Sequence, residues 1–402
     1  RWTVDTNISI DNYVDKHLIP QFKELVDKFK PSVIFSDGDW DFNHKSFRSN
    51  EMVQYYYDVV GKEGIVNDRW GIGFNHGYST PEYSSGIMDK NRPWAECRGL
   101  SRSFALNRNA DLETYLTSED LIKHFARLVA AGGGLTINVG PSADGKIPLL
   151  QQERLLDLGQ WIKVNEEAIY GSRPFETVYQ NQDMIANRLD EEINFNWVRN
   201  SPSKGVTEDN FSILWKSNIT PTQTDTYTIY LEADEEAGLE IKDDEGKTIL
   251  RLASQKEEVK HRVKLKKDHN YTFELSYQEK THEAVVKLSW ECSQFEKQPI
   301  KSQWNGEVSW ENTYVCFTKN KGNLYAISLE PISNSLTFKL DKAPEVEMKV
   351  FLLGEKRIEI PWQYDYENNK ITLDTREITP ANITTKGAWV FKLDNYINYI
   401  QK

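Results

Sequence analysis

The chain has few cysteines, no excess of positive charge and no long apolar run. Its three cysteines, Cys97, Cys292 and Cys316, are too few and too scattered for a disulfide framework or a zinc site. Lys and Arg number 49 against 61 Asp and Glu, and the net charge of −12 argues against a nucleic acid or an anionic membrane as partner. No stretch approaches the ~18 uncharged apolar residues of a membrane span. We therefore expect no metal, no cofactor, no nucleic acid and no membrane span.

The chain begins without Met, a signal peptide or a targeting pattern. We interpret it as beginning inside a longer protein, so the missing signal says nothing about secretion. A length of 402 residues predicts two to three domains, since domains average roughly 150 residues. Apolar residues at 39% and charged residues at 27% are ordinary for a globular protein.

Residues 1–175 alternate helix and strand signals. Thr117 begins one helix, with Asp120 as its capping-box partner, and the glycines at 132–134 end it. Strand-then-helix alternation with short connections predicts parallel strands and right-handed crossovers. About four such units are half of the eight that a closed barrel needs. We therefore predict the second half of a (β/α)₈ TIM-type barrel, and a small open sheet is the alternative.

After about residue 180 the helical period disappears. Residues 190–300 and 310–395 contain short alternating strands separated by turn residues. The basic run at 260–267 is interrupted by Val263 and Leu265, which indicates one solvated face of a strand. The predicted fold class is therefore multi-domain, with the half barrel followed by two antiparallel β-sandwich domains. The predicted domains are residues 1–178, 179–303 and 304–402.

Acidic and aromatic side chains gather at the predicted strand ends. Asp37 and Asp39 follow the strand that ends at Phe35, Glu82 lies in the long loop after the next strand, and Glu96 lies in the loop beyond. Function in a barrel lies at the C-terminal ends of the strands. Glycoside hydrolysis needs one carboxylate to attack the anomeric carbon and another to protonate the leaving oxygen. The aromatic residues that could cover a sugar are Phe35, Trp40, Trp70, Trp94 and Phe104. The alternative is that the acidic residues face solvent or cap backbone groups.

Four stretches make the first 175 residues resemble the later half of the catalytic barrel of glycoside hydrolase family 29, the α-L-fucosidases. They are PSVIFSDGDW at 31–40, VNDRWG at 66–71 with TPEY at 80–83, WAE at 94–96 with SF at 103–104, and GGGLTINVGP at 132–141 with NEEAIYG at 165–171.

The resemblance implies roles for individual residues. Asp37 would be the nucleophile, with Asp39 as its rival, and Glu82 the acid/base, with Glu96 as its rival. The fucose pocket and its surroundings would be lined by Phe35, Trp40, Arg69, Trp70, Phe104 and Glu96. The family often has Trp where Phe35 stands. The pocket histidines of the family's first half barrel are absent from this sequence.

Two later regions carry further resemblances. Residues 190–300 resemble the protective-antigen-type β-sandwich found in many carbohydrate-active enzymes, and residues 310–395 resemble the C-terminal β-sandwich of the fucosidases. The first region's usual Asp-Asp-Gly motif reads Asp234-Glu235-Glu236 here. This sandwich is interpreted as an accessory module, which binds carbohydrate or acts as a spacer.

The predicted function is a retaining exo-α-L-fucosidase that acts by double displacement on a fucosylated oligosaccharide or polysaccharide. Two alternatives remain open from the sequence: a non-catalytic carbohydrate-binding protein, and a barrel fragment that folds only with a missing N-terminal half. The resemblance favours a periplasmic or secreted bacterial protein. The sequence leaves oligomer formation open.

Overall fold

The computed structural model describes residues 9–38, 40–84, 92–198, 201–203, 205–207, 209–280 and 284–400. The chain divides into two compact units, residues 1–180 with 315–402 and residues 181–314. Asp39, the rival nucleophile, lies outside the described residues. In the described part of the chain, no helix is both long enough and apolar enough to cross a membrane.

Seven α-helices and 22 strands occur in the described residues. The helices are α1 (Ile10–Tyr13), α2 (Ile19–Phe29), α3 (Ser49–Val60), α4 (Ser118–Ala130), α5 (Leu149–Val164), α6 (Glu166–Ile169) and α7 (Tyr396–Ile400), with a π-helical segment at Val14–Leu18 and 3-10 turns at Gly61–Glu63 and Leu112–Thr114. The strands up to the second unit are β1 (Val33–Ile34), β2 (Ile65–Val66), β3 (Ala95–Gly99), β4 (Gly134–Asn138) and β5 (Arg173–Asp190). They continue as β6 (Asn194–Val198), β7 (Phe211–Ile219), β8 (Asp225–Ala233), β9 (Glu236–Lys242), β10 (Thr248–Ser254), β11 (Glu257–Leu265), β12 (Tyr271–Glu279), β13 (Ala284–Cys292), β14 (Phe295–Pro299) and β15 (Trp304–Asn320). The last are β16 (Asn323–Ser328), β17 (Ser335–Lys339), β18 (Val350–Leu352), β19 (Ile358–Glu359), β20 (Trp362–Asp365), β21 (Lys370–Asp374) and β22 (Trp389–Leu393).

The first unit begins with parallel strands, as the sequence predicts. Strand β1 pairs with β2, and β3 pairs with β4, both in parallel register. The segment 78–83 lies between β2 and β3 and bridges both neighbours in parallel, at Asn67↔Tyr78 and Glu82↔Cys97. The N–H of Cys97 donates to the carbonyl of Pro81 at 2.8 Å. Five parallel segments therefore end at the same edge of the first unit.

Helix α4 forms where its capping box predicts it. Thr117 Oγ1 accepts from the N–H of Asp120 at 3.1 Å and donates to the Asp120 carboxylate at 2.6 Å. The first four N–H groups of a helix have no intrahelical partner, and the Thr117 side chain satisfies one of them. Gly132 follows the helix at φ +82°, a conformation that favours glycine. The helix start at Thr117, with Asp120 as its side-chain partner, and the helix stop are both confirmed.

The rest of the first unit is antiparallel sheet packed against helices. From residue 315 onward, β15 pairs with β16, which pairs with β22 and then with β18 and β19. Strands β17, β21 and β20 form a separate sheet. Trp161 of α5 is fully buried in the same core as Val390 of β22, and its Nε1 donates to the carbonyl of Ala388 at 2.7 Å.

The second unit has two antiparallel sheets around one hydrophobic core. One sheet has the order β10-β9-β12-β7-β15, and the other has the order β11-β8-β13-β14 with β6 also pairing with β13. Strand β7 alternates buried and more exposed residues along its length. Its Trp215 lies with Phe273 and Trp304 in the core, each of them 0% exposed. The structure thus confirms a multi-domain chain rich in strands.

Candidate active site

Arg69 lies at the centre of the predicted site, just after β2. Its side chain is 9% exposed, and its Nη1 donates to Asp37 Oδ1 at 3.0 Å. The same nitrogen donates to Glu82 Oε1. The side chains of Asp37 and Glu82 are 54% and 41% exposed. One buried guanidinium therefore joins two carboxylates that are both open to solvent.

The charge of Arg69 is held in place by these two carboxylates. Burial works to lower the pKa of its guanidinium, but the hydrogen bonds to Glu82 and Asp37 and their negative charges outweigh that effect. The pKa of Arg69 is therefore raised above its ordinary value. The permanent positive charge of the guanidinium offsets the repulsion between the two carboxylates, so both can lie close to it.

The backbone around Asp37 is fixed from the β2 side. Asn67, which is fully buried, accepts from the N–H of Ser36 at 2.8 Å and donates to the carbonyl of Ser36 at 2.6 Å. The N–H of Gly38 donates to the carbonyl of Arg69 at 3.2 Å. These bonds continue the pairing of β1 with β2 on both sides of Asp37.

The backbone around Glu82 is fixed from the β3 side. The N–H of Tyr83 donates to the carbonyl of Cys97 at 3.3 Å. The Tyr83 hydroxyl accepts from the N–H of Gly99 and donates to the carbonyl of Ser101, both at 3.1 Å. Tyr83 itself has φ +46°, a strained conformation for a residue with a large side chain. Glu82 lies in the loop between β2 and β3, as the sequence predicts, and an isolated parallel bridge joins it to Cys97 of β3.

Three of the predicted aromatic residues stay accessible. Phe35, Trp40 and Phe104 are 42%, 64% and 37% exposed. The guanidinium carbon of Arg69 lies 5.6 Å from the centre of the Phe35 ring. The ring of Phe104 packs edge-on against Tyr83 at 5.2 Å, next to Glu82 in the chain. Phe35 and Phe104 therefore lie beside the two ends of the carboxylate–arginine cluster, and Trp40 is exposed on the segment after Asp37.

Two other predicted aromatic contacts are buried. Trp70 is 5% exposed and packs edge-on against Phe22 at 5.7 Å, inside the hydrophobic core around α2 and α3. Trp94 is 6% exposed, and a Cβ at Gly133 would lie 2.4 Å from its ring. A ring enclosed by core side chains presents no free face to a sugar. The structure therefore corrects two predictions: that Trp70 contacts substrate, and that Trp94 is among the aromatic residues that cover a sugar.

Glu96 also differs from its prediction. It lies within β3 and not in a loop, and its side chain is 0% exposed. Its Oε2 lies 2.6 Å from Nε2 of His124 on α4, and its Oε1 lies 3.6 Å from Arg98 Nη1. Burial lowers the pKa of His124 below its ordinary value, against the opposing effect of Glu96. Glu96 is therefore placed with α4, and the prediction that it contacts substrate is corrected.

Sequence reasoning did not single out Thr80 and Asp68, although both lie in the stretches that carry the resemblance. Arg69 Nε donates to Thr80 Oγ1 at 2.9 Å, and Nη2 donates to the Thr80 carbonyl at 2.7 Å. Asp68 Oδ1 in turn accepts from the Thr80 hydroxyl at 2.8 Å. No spacing pattern gives these contacts, because they depend on how segment 78–83 pairs with its neighbours.

The cluster combines features of one enzyme class. Two solvent-accessible carboxylates lie at the common end of parallel strands, and accessible aromatic rings flank them. Among residues 9–38, 40–84, 92–198 and the later described ranges, no group of His, Cys, Asp or Glu is placed to hold a metal ion. Paired carboxylates of this kind are typical of glycoside hydrolases. The arrangement of Asp37 and Glu82 therefore resembles the carboxylate pair of that enzyme class.

Two family models match parts of the chain. Residues 2–167 match the family model of alpha-L-fucosidase, and residues 169–304 match the PA14 domain. Residues 2–167 are therefore similar to the alpha-L-fucosidase family, in agreement with the resemblance seen in the sequence. The second match agrees with the protective-antigen-type resemblance of residues 190–300.

Named relatives match about two fifths of the chain. The alpha-L-fucosidase of Branchiostoma floridae is 36% identical over 165 residues, which are 39% of this chain and 36% of that protein. The plasma alpha-L-fucosidase of Rattus norvegicus is 37% identical over 160 residues, 38% of this chain and 35% of that protein. The chain thus matches little more than a third of the length of these relatives.

Solved structures share the fold over most of the chain. The alpha-fucosidase of Thermotoga maritima in complex with a mechanism-based inhibitor gives a TM-score of 0.52 at 19% identity, covering 95% of this chain and 56% of that one. Alpha-L-fucosidase isoenzyme 1 from Paenibacillus thiaminolyticus gives 0.53 at 14% identity, covering 97% and 64%. At 19% and 14% sequence identity, the similarity to these structures shows a shared fold only.

Proposed function

We propose that this protein is a retaining exo-α-L-fucosidase that releases terminal α-L-fucose from fucosylated oligosaccharides or polysaccharides. Asp37 is the nucleophile and Glu82 the acid/base, with Phe35, Trp40, Arg69 and Phe104 around the sugar. The observation that carries the proposal is the shared donor: Arg69 Nη1 binds Asp37 and Glu82 together.

The shared donor supports retention because it limits the separation of the carboxylates. Two oxygens bound to one nitrogen at hydrogen-bond lengths of roughly 3 Å lie at most about 6 Å apart. Retaining enzymes need about 5–5.5 Å, whereas inverting enzymes need about 6.5–9.5 Å to admit a water molecule. The arrangement of Asp37 and Glu82 fits the shorter range.

Each carboxylate then has one task in each step. Asp37 attacks the anomeric carbon while Glu82 gives its proton to the glycosidic oxygen, so the leaving group departs as an alcohol. Glu82, now ionised, takes a proton from water, and the hydroxide equivalent displaces Asp37 from the sugar. Arg69 stabilises the carboxylate of Asp37 when it is released.

The proposal includes the architecture. We propose that residues 1–178 form the second half of a (β/α)₈ barrel, that the PA14-like residues 179–303 form an accessory β-sandwich, and that residues 304–402 form the C-terminal β-sandwich. The parallel pairings of β1 with β2 and of β3 with β4 support the first part. The two sheets around one core in residues 181–314 support the second.

The direct test is hydrolysis of an aryl α-L-fucoside, with proton NMR recording which anomer of fucose appears first. We expect α-L-fucose before mutarotation, and Asp37→Gly as the control should form neither anomer. The β-anomer appearing first would overturn retention. Binding of fucosylated glycans without turnover would favour the carbohydrate-binding alternative.

A further inference from the structure

Thr80 connects Arg69 to a third acidic residue, Asp68. The guanidinium uses Nη1 for Asp37 and Glu82, and it uses Nε and Nη2 for Thr80. Thr80 is 5% exposed, so these bonds are shielded from water. Thr80 therefore binds Nε and Nη2 of the guanidinium fork, and the two catalytic carboxylates bind Nη1.

Asp68 determines the direction of the Thr80 hydroxyl. A hydroxyl has one proton, and a carboxylate can only accept. Asp68 Oδ1 accepts from the Thr80 hydroxyl at 2.8 Å and from the Thr80 N–H at 3.1 Å, while Arg92 Nη2 lies 3.2 Å from Asp68 Oδ2. Because the proton points to Asp68, a lone pair of Thr80 Oγ1 faces the Nε–H of Arg69.

We propose that Thr80, oriented by Asp68, is a positioning residue that fixes the guanidinium of Arg69 so that Nη1 reaches both catalytic carboxylates. The inference rests on the proposed function, because it assigns Asp37 and Glu82 the catalytic tasks. Thr80 acts only through Arg69. Arginine suits this position because its planar fork has separate donors for the two sides, which a lysine lacks.

We call the hydrogen bonds that run from Asp68 through Thr80 to Arg69 the relay. Steady-state kinetics on an aryl α-L-fucoside test whether this relay positions Arg69. Thr80→Val keeps the branched shape but removes the hydroxyl, and Thr80→Ser keeps the hydroxyl as the matched control. We expect Thr80→Val to lower kcat by about tenfold or more, the effect of one lost charge-assisted hydrogen bond, with little change in KM. Thr80→Ser should stay within roughly threefold of the unmodified protein. Equal activity of the two variants would overturn the relay.

A double-mutant cycle separates action through Arg69 from a general structural effect. In an Arg69→Lys background the fork is already lost, so Thr80→Val should change kcat by less than about twofold. Effects of the two substitutions that multiply would contradict action through Arg69.

A measurement without turnover keeps the relay testable by itself. In protein labelled with ¹⁵N-arginine, the Nε–H signal of Arg69 is assigned by its loss in Arg69→Lys. We expect slow hydrogen exchange that is retained in Thr80→Ser and at least about tenfold faster in Thr80→Val; if that variant does not fold, Asp68→Asn should also speed exchange.

The two failures give different results. If exchange of the Arg69 Nε–H is slow only when the Thr80 hydroxyl is present, but the protein does not turn over the fucoside, the proposed function is overturned. The placement of Arg69 by Thr80 is then still supported. Exchange that is equally fast with and without the hydroxyl would overturn the relay, whether or not the protein is active.

Discussion

Arg69 and Asp37 are joined by a hydrogen bond of 3.0 Å, from Nη1 to Oδ1, although they are 32 positions apart in the chain. The parallel pairing of β1 with β2 makes this contact, since each residue closely follows one of these strands. The same nitrogen reaches Glu82 on the next parallel segment. The pair is therefore a consequence of strand order, and it organises the site on which the following predictions depend.

Replacing Asp37 with Gly should remove nearly all turnover of an aryl α-L-fucoside, because no carboxylate remains to form the covalent intermediate. Azide should restore part of the activity, since it is small enough to enter the vacated space and attack the anomeric carbon. Turnover is measured by release of the aryl group with and without azide. Full activity in Asp37→Ala would contradict the assignment.

Replacing Glu82 with Ala should slow substrates with poor leaving groups far more than activated aryl fucosides. A poor leaving group needs the proton that Glu82 supplies, whereas an activated phenolate departs without it. The measurement is kcat/KM over a series of aryl fucosides of differing leaving-group pKa.

Glu96→Ala is the comparison for that series. Glu96 is 0% exposed and hydrogen-bonded to His124, so its loss should lower stability by about 1–3 kcal/mol, because a buried hydrogen-bonding group loses its partner. We expect a lower thermal midpoint with no steeper dependence on the leaving group. If Glu96→Ala shows that dependence and Glu82→Ala does not, the two roles must be exchanged.

The second unit should lose stability as the pH rises towards neutrality. Glu279 is 1% exposed, and burial raises its pKa to about 7, with the nearby Asp234 adding to the effect. The Tyr277 hydroxyl faces both Glu279 and Asp234 but has one proton to donate. A protonated Glu279 fits this setting better than an ionised one.

The direction of the effect follows from proton linkage. The folded pKa lies above the ordinary value of 4.5, so the folded state holds the proton more tightly than the unfolded state. The stabilisation is complete below about pH 4.5 and is lost as the pH rises through about 7. The loss is on the order of 1–3 kcal/mol.

Urea unfolding between pH 4.5 and 8 measures this change in the free energy of unfolding. Glu279→Gln, which resembles the protonated side chain, should flatten the pH profile. Glu257→Gln, at an exposed residue of β11, should leave it unchanged. A profile for Glu279→Gln as steep as that of the unmodified protein would rule out Glu279 as its source.

The sequence predicts the components of the site better than their accessibility. Asp37, Glu82 and Arg69 follow from motifs at strand ends, and the structure brings them together. Trp70 lies one residue beyond Arg69 and yet packs into the core around α2 and α3. Composition cannot distinguish an accessible aromatic side chain that could stack on a sugar from one that is buried in the core.

Glu82 and Glu96 show a second limit of sequence reasoning. Segment 78–83 lies outside the named strands, as Pro81 and the lack of a run of β-branched residues predict, but the sequence does not predict the isolated parallel bridges that it forms. Its pairing depends on neighbours that are distant in the chain. The burial of Glu96 likewise depends on His124 of α4, a partner 28 residues away.

The central claim is that Asp37 forms the covalent bond to fucose, and trapping with 2-deoxy-2-fluoro-fucosyl fluoride tests it most directly. The fluorine slows the second step, so the sugar remains on the nucleophile. Peptide mass spectrometry after trypsin should find the label on the peptide at residues 29–45, and fragmentation should place it on Asp37. A label on Asp39, Asp41 or any residue outside this peptide would contradict the account.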